Sequence, residues 1–384
     1  MTKRFDVIII GAGSVGVPAA YAMSREGLKV AVIESLPSVG QGQNKKAIGG
    51  IRATHTNASK ILLCQDSIDI VSNWEKRYGH DIEWFQGGYT FVAYNEAHEQ
   101  LMKDNLKIQK EAGLNIDWVE RDKIIDLVPG IDSEGLRGGT FSPEDGNSSP
   151  LKTLSAIEKQ SLLQGAEYFF KESVTDIEVE NNSAKKIITN KDEYEADFVV
   201  NAAGAFAKEI GEMVGLNLPV FPDSHESGIS EPVQKFIDPL VVDLRPGEGT
   251  KNFYFYQNNE GKFILCLTPE PIIPGIDENE TSVFLPQVAQ RLINLIPRTK
   301  HLKMRRTWRG LYPMTPDGSP IVGEVNNLEG YINAVGMCGQ GYMLGPGLGE
   351  LLARVVSEKI SPSDNNILEE LSWYRDFGKV EKLK

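Results

Sequence analysis

The chain has 384 residues with 53 acidic and 40 basic side chains, a net charge of −13 that argues against nucleic acid and anionic membrane surfaces, both of which attract basic patches. No apolar run approaches the ~20 residues of a membrane span and nothing of signal-peptide character precedes the first strand, so a cytoplasmic protein without membrane insertion is expected. Cys64, Cys266 and Cys338 are odd in number and far apart, which points away from a disulfide framework or a metal site and toward small buried side chains.

In chain order, the β-branched run Val7–Ile10 predicts a buried parallel strand and Val17–Met23 a helix. Between them lies Gly11-Ala12-Gly13-Ser14-Val15-Gly16. Strand, glycine turn and helix together let a pyrophosphate approach backbone N–H groups at a helix N-terminus. A second strand, Lys29–Ile33, ends at Glu34, whose carboxylate can accept hydrogen bonds from ribose hydroxyls. This unit is expected to bind an adenine dinucleotide; the turn alone does not choose FAD over NAD.

Further along, Ser59–Tyr78 predicts a helix, Phe85–Tyr94 a strand and Glu96–Glu111 a helix. Leu151–Gly165 reads as a helix, and Val174–Glu180 and Phe198–Asn201 as strands returning to the first unit. From Leu218 onward the pattern changes: Asn252–Tyr256 and Phe263–Leu267 alternate as in an antiparallel sheet with one wet face, which could roof a bound ring. Tyr331–Val335 predicts a strand, followed by a second glycine-rich turn, Gly339–Gly347. A helix over Gly347–Ser357 would place Pro346 near its first turn, where a missing N–H is harmless.

Four segments occur in a fixed order: Gly11–Gly16 with Glu34, then Val199–Ala207, then Trp308–Gly323, then Gly339–Gly347. Together, over nearly the whole chain, they resemble the FAD-dependent D-amino-acid oxidase superfamily. The resemblance is to the branch holding glycine oxidase, sarcosine oxidase and the β subunits of sarcosine oxidases and dye-linked proline dehydrogenases. It implies an α/β fold: a Rossmann-like FAD-binding domain of the glutathione-reductase type, with an interleaved α+β substrate domain built on an antiparallel sheet. The expected FAD-binding segments are 1–84, 142–217 and 319–384, and the expected substrate segments 85–141 and 218–318. Beyond the first turn and Glu34, cofactor contacts are implied from Ser35, Lys46, Gly49 and Gly50, from Val174 to the adenine, and from Ala203 and Gly204. The last set is Gly310 with Gly339, Gln340, Gly341, Tyr342 and Met343, the C-terminal helix facing the pyrimidine side of the flavin. Lys45 and Lys46 could equally be solvated.

The implied activity is oxidation of a small amino acid to its imine by hydride transfer to flavin. Arg52 matches an arginine that binds substrate carboxylate in sarcosine-oxidase-like members; the alternatives are a salt bridge or a cofactor phosphate contact. Tyr254 and Tyr256, two apart on one strand face, could line the pocket or pack in the core. His55 and His225 lie near the cofactor or roof by motif, with no base assigned, while His80, His98 and His301 read as surface. Tyr312, Met343 and Gln340 replace the arginine, lysine and histidine of other members, which moves the pocket toward the proline-dehydrogenase type and a secondary or cyclic substrate. Cys266 stands near the place of an oxygen-activating lysine, with Lys262 only at the strand start, which favours a dehydrogenase over an oxidase. Gly310 stands where a flavin-bonding cysteine occurs, so FAD is expected to be non-covalent. Competing readings are a 2-hydroxy-acid or polyol-phosphate dehydrogenase and a non-catalytic FAD-bearing subunit. An electron acceptor or partner subunit, in a homo- or hetero-oligomer, fits either way.

Overall fold

The computed structural model describes residues 3–378 and 380–383. Met1, Thr2, Lys379 and Lys384, inside the expected FAD-binding segments, lie outside the described residues. Two eight-stranded sheets organise the chain. In the first, strands Leu328–Val335, Glu193–Asn201, Lys3–Ile10, Val30–Glu34 and Glu167–Phe170 run parallel in that spatial order. Strand periodicity sorts their side chains. Val7, Ile9, Val30 and Val32 pack against helices Gly16–Arg25 and Gly341–Val356. Ile8, Ile10, Ala31 and Ile33 pack on the other face with Ile177 and Ile187, from the hairpin Val174–Glu180 and Ser183–Thr189.

The second sheet carries the order Met304–Met314, Phe221–Pro232, Lys262–Pro269, Thr250–Gln257, Leu240–Asp243, Tyr89–Ala93, Gly138–Ser142, Asp117–Glu120. It is antiparallel except where Leu240–Asp243 runs parallel to Tyr89–Ala93. The expected wet face is not there. Helix Phe284–Leu295 covers it, burying Phe284, Val288, Leu292 and Leu295 against Phe253, Phe255, Phe263 and Leu265. Spacing of four between Phe284, Val288 and Leu292 is the helical signal that gives this element away.

Other boundaries shift for identifiable reasons. The Ser59–Tyr78 helix divides into Ala58–Ser72 and Trp74–Tyr78 at Asn73, whose side chain donates back to the Asp69 carbonyl. Phe85 makes only an isolated bridge to Asn147, and the strand proper is Tyr89–Ala93. Pro346 lies inside the last long helix rather than in its first turn, because that helix begins at Gly341. Ser67 splints the helix there, its hydroxyl accepting from Gly347 N–H (2.9 Å) and donating to the Leu63 carbonyl (3.0 Å). Among the described residues no helix is long and apolar enough to cross a membrane, and no cluster of His, Cys, Asp and Glu could hold a metal ion.

Candidate active site

A cavity of about 560 Å³ runs from Glu34 to Met343 between the two sheets. Its floor is backbone. Helices Gly16–Arg25 and Gly341–Val356 both start beside it, neither with a side-chain cap nor an acidic residue in its first turn, so the positive ends of their dipoles face an anion or a polarised carbonyl there. They sit this close because glycine is where they meet: a Cβ at Gly345 would stand 1.8 Å from the Ser14 carbonyl oxygen and one at Gly349 2.7 Å from the Pro18 carbonyl carbon. The first turn itself closes on glycine, since a Cβ at Gly16 would stand 1.9 Å from the Gly11 carbonyl oxygen. Glu34 is locked at the far edge, accepting from the N–H groups of Ala12 and Leu36 (both 2.8 Å) and from the Ser35 hydroxyl (3.2 Å).

Of the expected cofactor residues, Gly11, Gly13, Ser14, Val15, Glu34, Ser35, Lys46, Gly49, Gly50, Val174, Ala203, Gly204, Gly310, Gly339, Gln340, Gly341, Tyr342 and Met343 all line this cavity. Gly16 does not; it is the contact behind the turn. The Tyr342 hydroxyl is engaged by Ser148 and Thr153. The Gln340 Oε1 is buried on the wall with no partner.

The roof is built from side chains of separate strands. Asp223, His225 and Ser227, alternate residues of Phe221–Pro232, face the cavity beside Tyr254 and Tyr312. His225 stacks on Tyr312, ring centroids 3.7 Å apart, and its Nε2 lies 3.0 Å from Asp223 Oδ1. The hydroxyls of Tyr254 and Tyr312 pair at 2.8 Å. Burial pushes both phenols far above their ordinary range, so they stay neutral. Cys266 is absent from the wall: its strand partners are Ser227 and Tyr254, and the two tyrosines cover its thiol, which burial also pushes up. Tyr256 is likewise not on the wall, since its hydroxyl donates to the Ile48 carbonyl and fastens the segment bearing Gly49 and Gly50. Asp223 was not among the expected site residues, and Tyr312 was expected only as the replacement for an arginine of other members. Asp-Ser-His on one strand is the signal for the first, because residues two apart share a face.

Arg52 reaches the wall, but its guanidinium is held from behind. Nη1 donates to the Thr54 carbonyl and lies 3.4 Å from His55 Nδ1, while Nη2 donates to the Leu383 carbonyl at 2.7 Å. The Phe91 and Tyr89 rings flank it at 5.3 and 5.7 Å. His55 is not on the cavity wall. It lies fully buried between Arg52 and Cys64, and burial, reinforced by the charges of Arg52 and Lys60, pushes its pKa well down and keeps it neutral. Nearby, Lys60 and Glu381, both fully buried, pair at 2.9 Å. Burial pushes Glu381 up, yet Lys60 and the Thr56 hydroxyl outweigh it and hold the carboxyl at about 2. Asp145 goes the other way: burial raises it to about 7 despite the Ala53 N–H and Arg52.

A family model described as FAD dependent oxidoreductase matches residues 6–355. The chain belongs to that family. FAD is its cofactor, and the cavity fits it: a Cβ at Gly13 would meet nothing within 4 Å, leaving the backbone open to a pyrophosphate, and the orphaned Gln340 Oε1 can accept from an N–H on the ring's pyrimidine edge. Position 310 is glycine, so no covalent tether arises there. Among solved structures, this FAD dependent oxidoreductase is similar to L-proline dehydrogenase from P. horikoshii. The two are 28% identical with a TM-score of 0.88, covering 94% of this chain and 96% of that one. Glycine oxidase from Geobacillus kaustophilus gives 23% identity and a TM-score of 0.86 over 98% and 100% of the two chains. Hydrogen cyanide synthase subunit HcnC of Pseudomonas protegens is 24% identical over 95% of both.

Proposed function

We propose that this enzyme oxidises a small secondary or cyclic amino acid to its imine and passes the electrons to an acceptor other than O2. The observation that carries this reading is the roof over the end of the glycine cradle. Neutral hydroxyls of Tyr254 and Tyr312, the Asp223–His225 pair and the half-buried thioether of Met343 converge on one space. Bound FAD supplies a hydride acceptor. The chain's own task is then to hold the amine and its C–H in place, keep water out and fix the carboxylate. Arg52 is assigned the carboxylate through guanidinium protons left over from its backbone bonds, and Met343 offers a polarisable apolar contact to a ring. The names of the similar proteins, L-proline dehydrogenase above all, favour an amine over a hydroxyl substrate.

A dehydrogenase is favoured because no cation projects from strand Lys262–Pro269 into the cavity; Thr268 and Pro269 are its only wall residues among those described. Lys46, packed against Gly310 of the same sheet, pairs with Glu278 at 2.5 Å. A second reading, that the chain works as a subunit, draws on the exposed apolar side chains Phe206 and Ile272 at the mouth, with Phe221 and Ile276 also exposed. It draws also on the subunit named among its relatives. The deciding experiment is anaerobic bleaching of the bound flavin by proline, sarcosine, glycine, D-amino acids and 2-hydroxy acids, followed by reoxidation with air or a quinone analogue. Bleaching by proline or sarcosine with slow air reoxidation is expected. Bleaching by hydroxy acids alone, or fast peroxide formation, would overturn the reading.

A further inference from the structure

We propose that the segment 381–383 positions the substrate-binding arginine: the Leu383 carbonyl, anchored through Glu381, sets the Arg52 guanidinium in the orientation that meets a substrate carboxylate. This rests on the assignment of Arg52 in the reading above. Three observations carry it. First, the hold on Arg52 is made by neutral acceptors. Nη2 donates to the Leu383 carbonyl at 2.7 Å and Nη1 to the Thr54 carbonyl. Asp145, the buried carboxyl nearby, is engaged instead by the Ala53 N–H and the Thr54 hydroxyl. Carbonyl dipoles aim a guanidinium without neutralising it, so its charge is left for an anion on the cavity side. Second, Leu383 also holds the surroundings of that guanidinium. Its side chain is 2% exposed and packs in one buried cluster with Tyr89, Phe91 and Val242, all three of which line the cavity. Tyr89 and Phe91 are the rings that flank Arg52. Main chain and side chain of one residue thus fix both the arginine and its aromatic walls.

Third, the segment takes its own position from elsewhere. The Glu381 N–H donates to the Asp317 carbonyl at 2.9 Å, and the Asp317 carboxylate is gripped by Arg375 through two bonds of 2.7 and 3.0 Å. The Glu381 carboxylate pairs with Lys60 at 2.9 Å and accepts from the Thr56 N–H and hydroxyl at 3.1 and 2.7 Å. It accepts as well from the Leu383 N–H at 3.0 Å, which ties the two residues together. Leu383 at Arg52 and Glu381 at Thr56 therefore clip the stretch 52–56 at both ends. A free arginine side chain loses much rotamer freedom when a ligand fixes it. A frame that fixes it during folding removes that loss from the binding step. The coupling is reciprocal: a carboxylate that prefers the fixed arginine must stabilise the docked segment by the same factor. Glu381 and Leu383 act through Arg52 and are positioning residues.

The test has two arms, both on the holoenzyme. In the unmodified chain, hydrogen exchange of the 381–383 amides is measured with and without pyrrole-2-carboxylate, a ring carboxylate lacking the C–H to be oxidised. Its binding is followed by flavin absorbance. Saturation is expected to slow exchange about 10-fold, the lower end of what one hydrogen bond to a charged group contributes. Unchanged exchange, or no binding of the probe, would overturn the proposal even if no variant folds. In the second arm, anaerobic flavin reduction is followed in Leu383→Gly and in a chain ending at Lys382, both of which keep Glu381. With proline the apparent substrate constant should rise about 10-fold, whereas with pyrrolidine, which has no carboxylate, it should not move. Leu383→Met, which keeps volume and main chain, should match the unmodified enzyme. Either variant combined with Arg52→Ala should be no weaker than Arg52→Ala alone. Equal losses for proline and pyrrolidine, or full additivity with Arg52→Ala, would reduce the segment to a role in stability. If no amine bleaches the flavin, the amine reading fails, while the exchange measurement still judges the segment.

Discussion

The floor and the wall behind Arg52 bring polar groups to this cavity in opposite ways. The floor uses backbone alone, with two uncapped helix ends and glycines that let main chain touch main chain. The wall behind Arg52 uses ionisable side chains from distant parts of the chain, including Lys60, Asp145 and Glu381, all buried. Dipoles fixed by the fold carry no net charge and need no partner. Buried charges are costly unless each is matched, so the wall should be the more fragile of the two.

The largest effect is therefore expected at Glu381. Glu381→Gln leaves Lys60 buried without a counter-charge, and urea unfolding should show a loss of about 3–5 kcal/mol. Its pH signature has a definite sign. The folded carboxyl sits at about 2 against an ordinary 4.5, so its contribution is fully present above pH 4.5 and disappears as pH falls toward 2. Asp145 has the reverse sign: raised from 3.8 to about 7, it makes the fold progressively less stable as pH rises across that interval. The variant should lose the acid limb and keep the second slope. An unchanged acid limb would mean that the pair contributes nothing.

Arg52 comes next, because it belongs to the wall yet is assigned to the substrate. Arg52→Ala should raise the apparent substrate constant by an amount on the order of 2–4 kcal/mol with flavin content little changed. Arg52→Lys should restore only part, since an ammonium cannot span the Thr54 and Leu383 carbonyls and a carboxylate together. If flavin is lost in proportion to activity, Arg52 serves the cofactor or the fold, and the wall has no share in recognition.

On the floor, Gly345→Ala and Gly16→Ala should each cost about 1–3 kcal/mol, more if the Ser14 and Gly11 carbonyls cannot yield. Gly13→Ala should leave the melting temperature of the apoprotein unmoved, since its Cβ meets only open space, while weakening FAD retention. Equal loss of stability at positions 13 and 345 would erase the distinction between glycines that pack helices and glycines that admit the cofactor.

The same contrast explains what could be read from the sequence. The floor is local: strand, turn, helix and Glu34 fall within 34 residues of the start, and the second turn within nine, so spacing alone exposes them. The roof is not. Asp223, Tyr254, Cys266 and Tyr312 meet only through strand register, and a pattern of two says which face a residue takes but not which residue covers it. Cys266 therefore sits on the expected face yet under the hydroxyls of two tyrosines. Helix Phe284–Leu295, which removes the wet face from the sheet, was legible in its spacing. The contact of Leu383 with Arg52, more than 300 residues away, has no local signal at all.

Tyr254 gives the smallest effect and separates the roof's two ways of working. Its hydroxyl pairs with that of Tyr312, which in turn stacks on His225. Tyr254→Phe removes one hydrogen bond and leaves the Tyr312 hydroxyl unpaired, so thermal or urea unfolding should register a loss of about 1 kcal/mol. If Tyr254 only fastens Tyr312, the substrate constant stays put while stability falls. If its hydroxyl touches the substrate carboxylate, the substrate constant rises along with the loss of stability, and the roof joins Arg52 in recognition. A change in substrate constant without any change in stability would mean that the Tyr254–Tyr312 pair is not a structural bond.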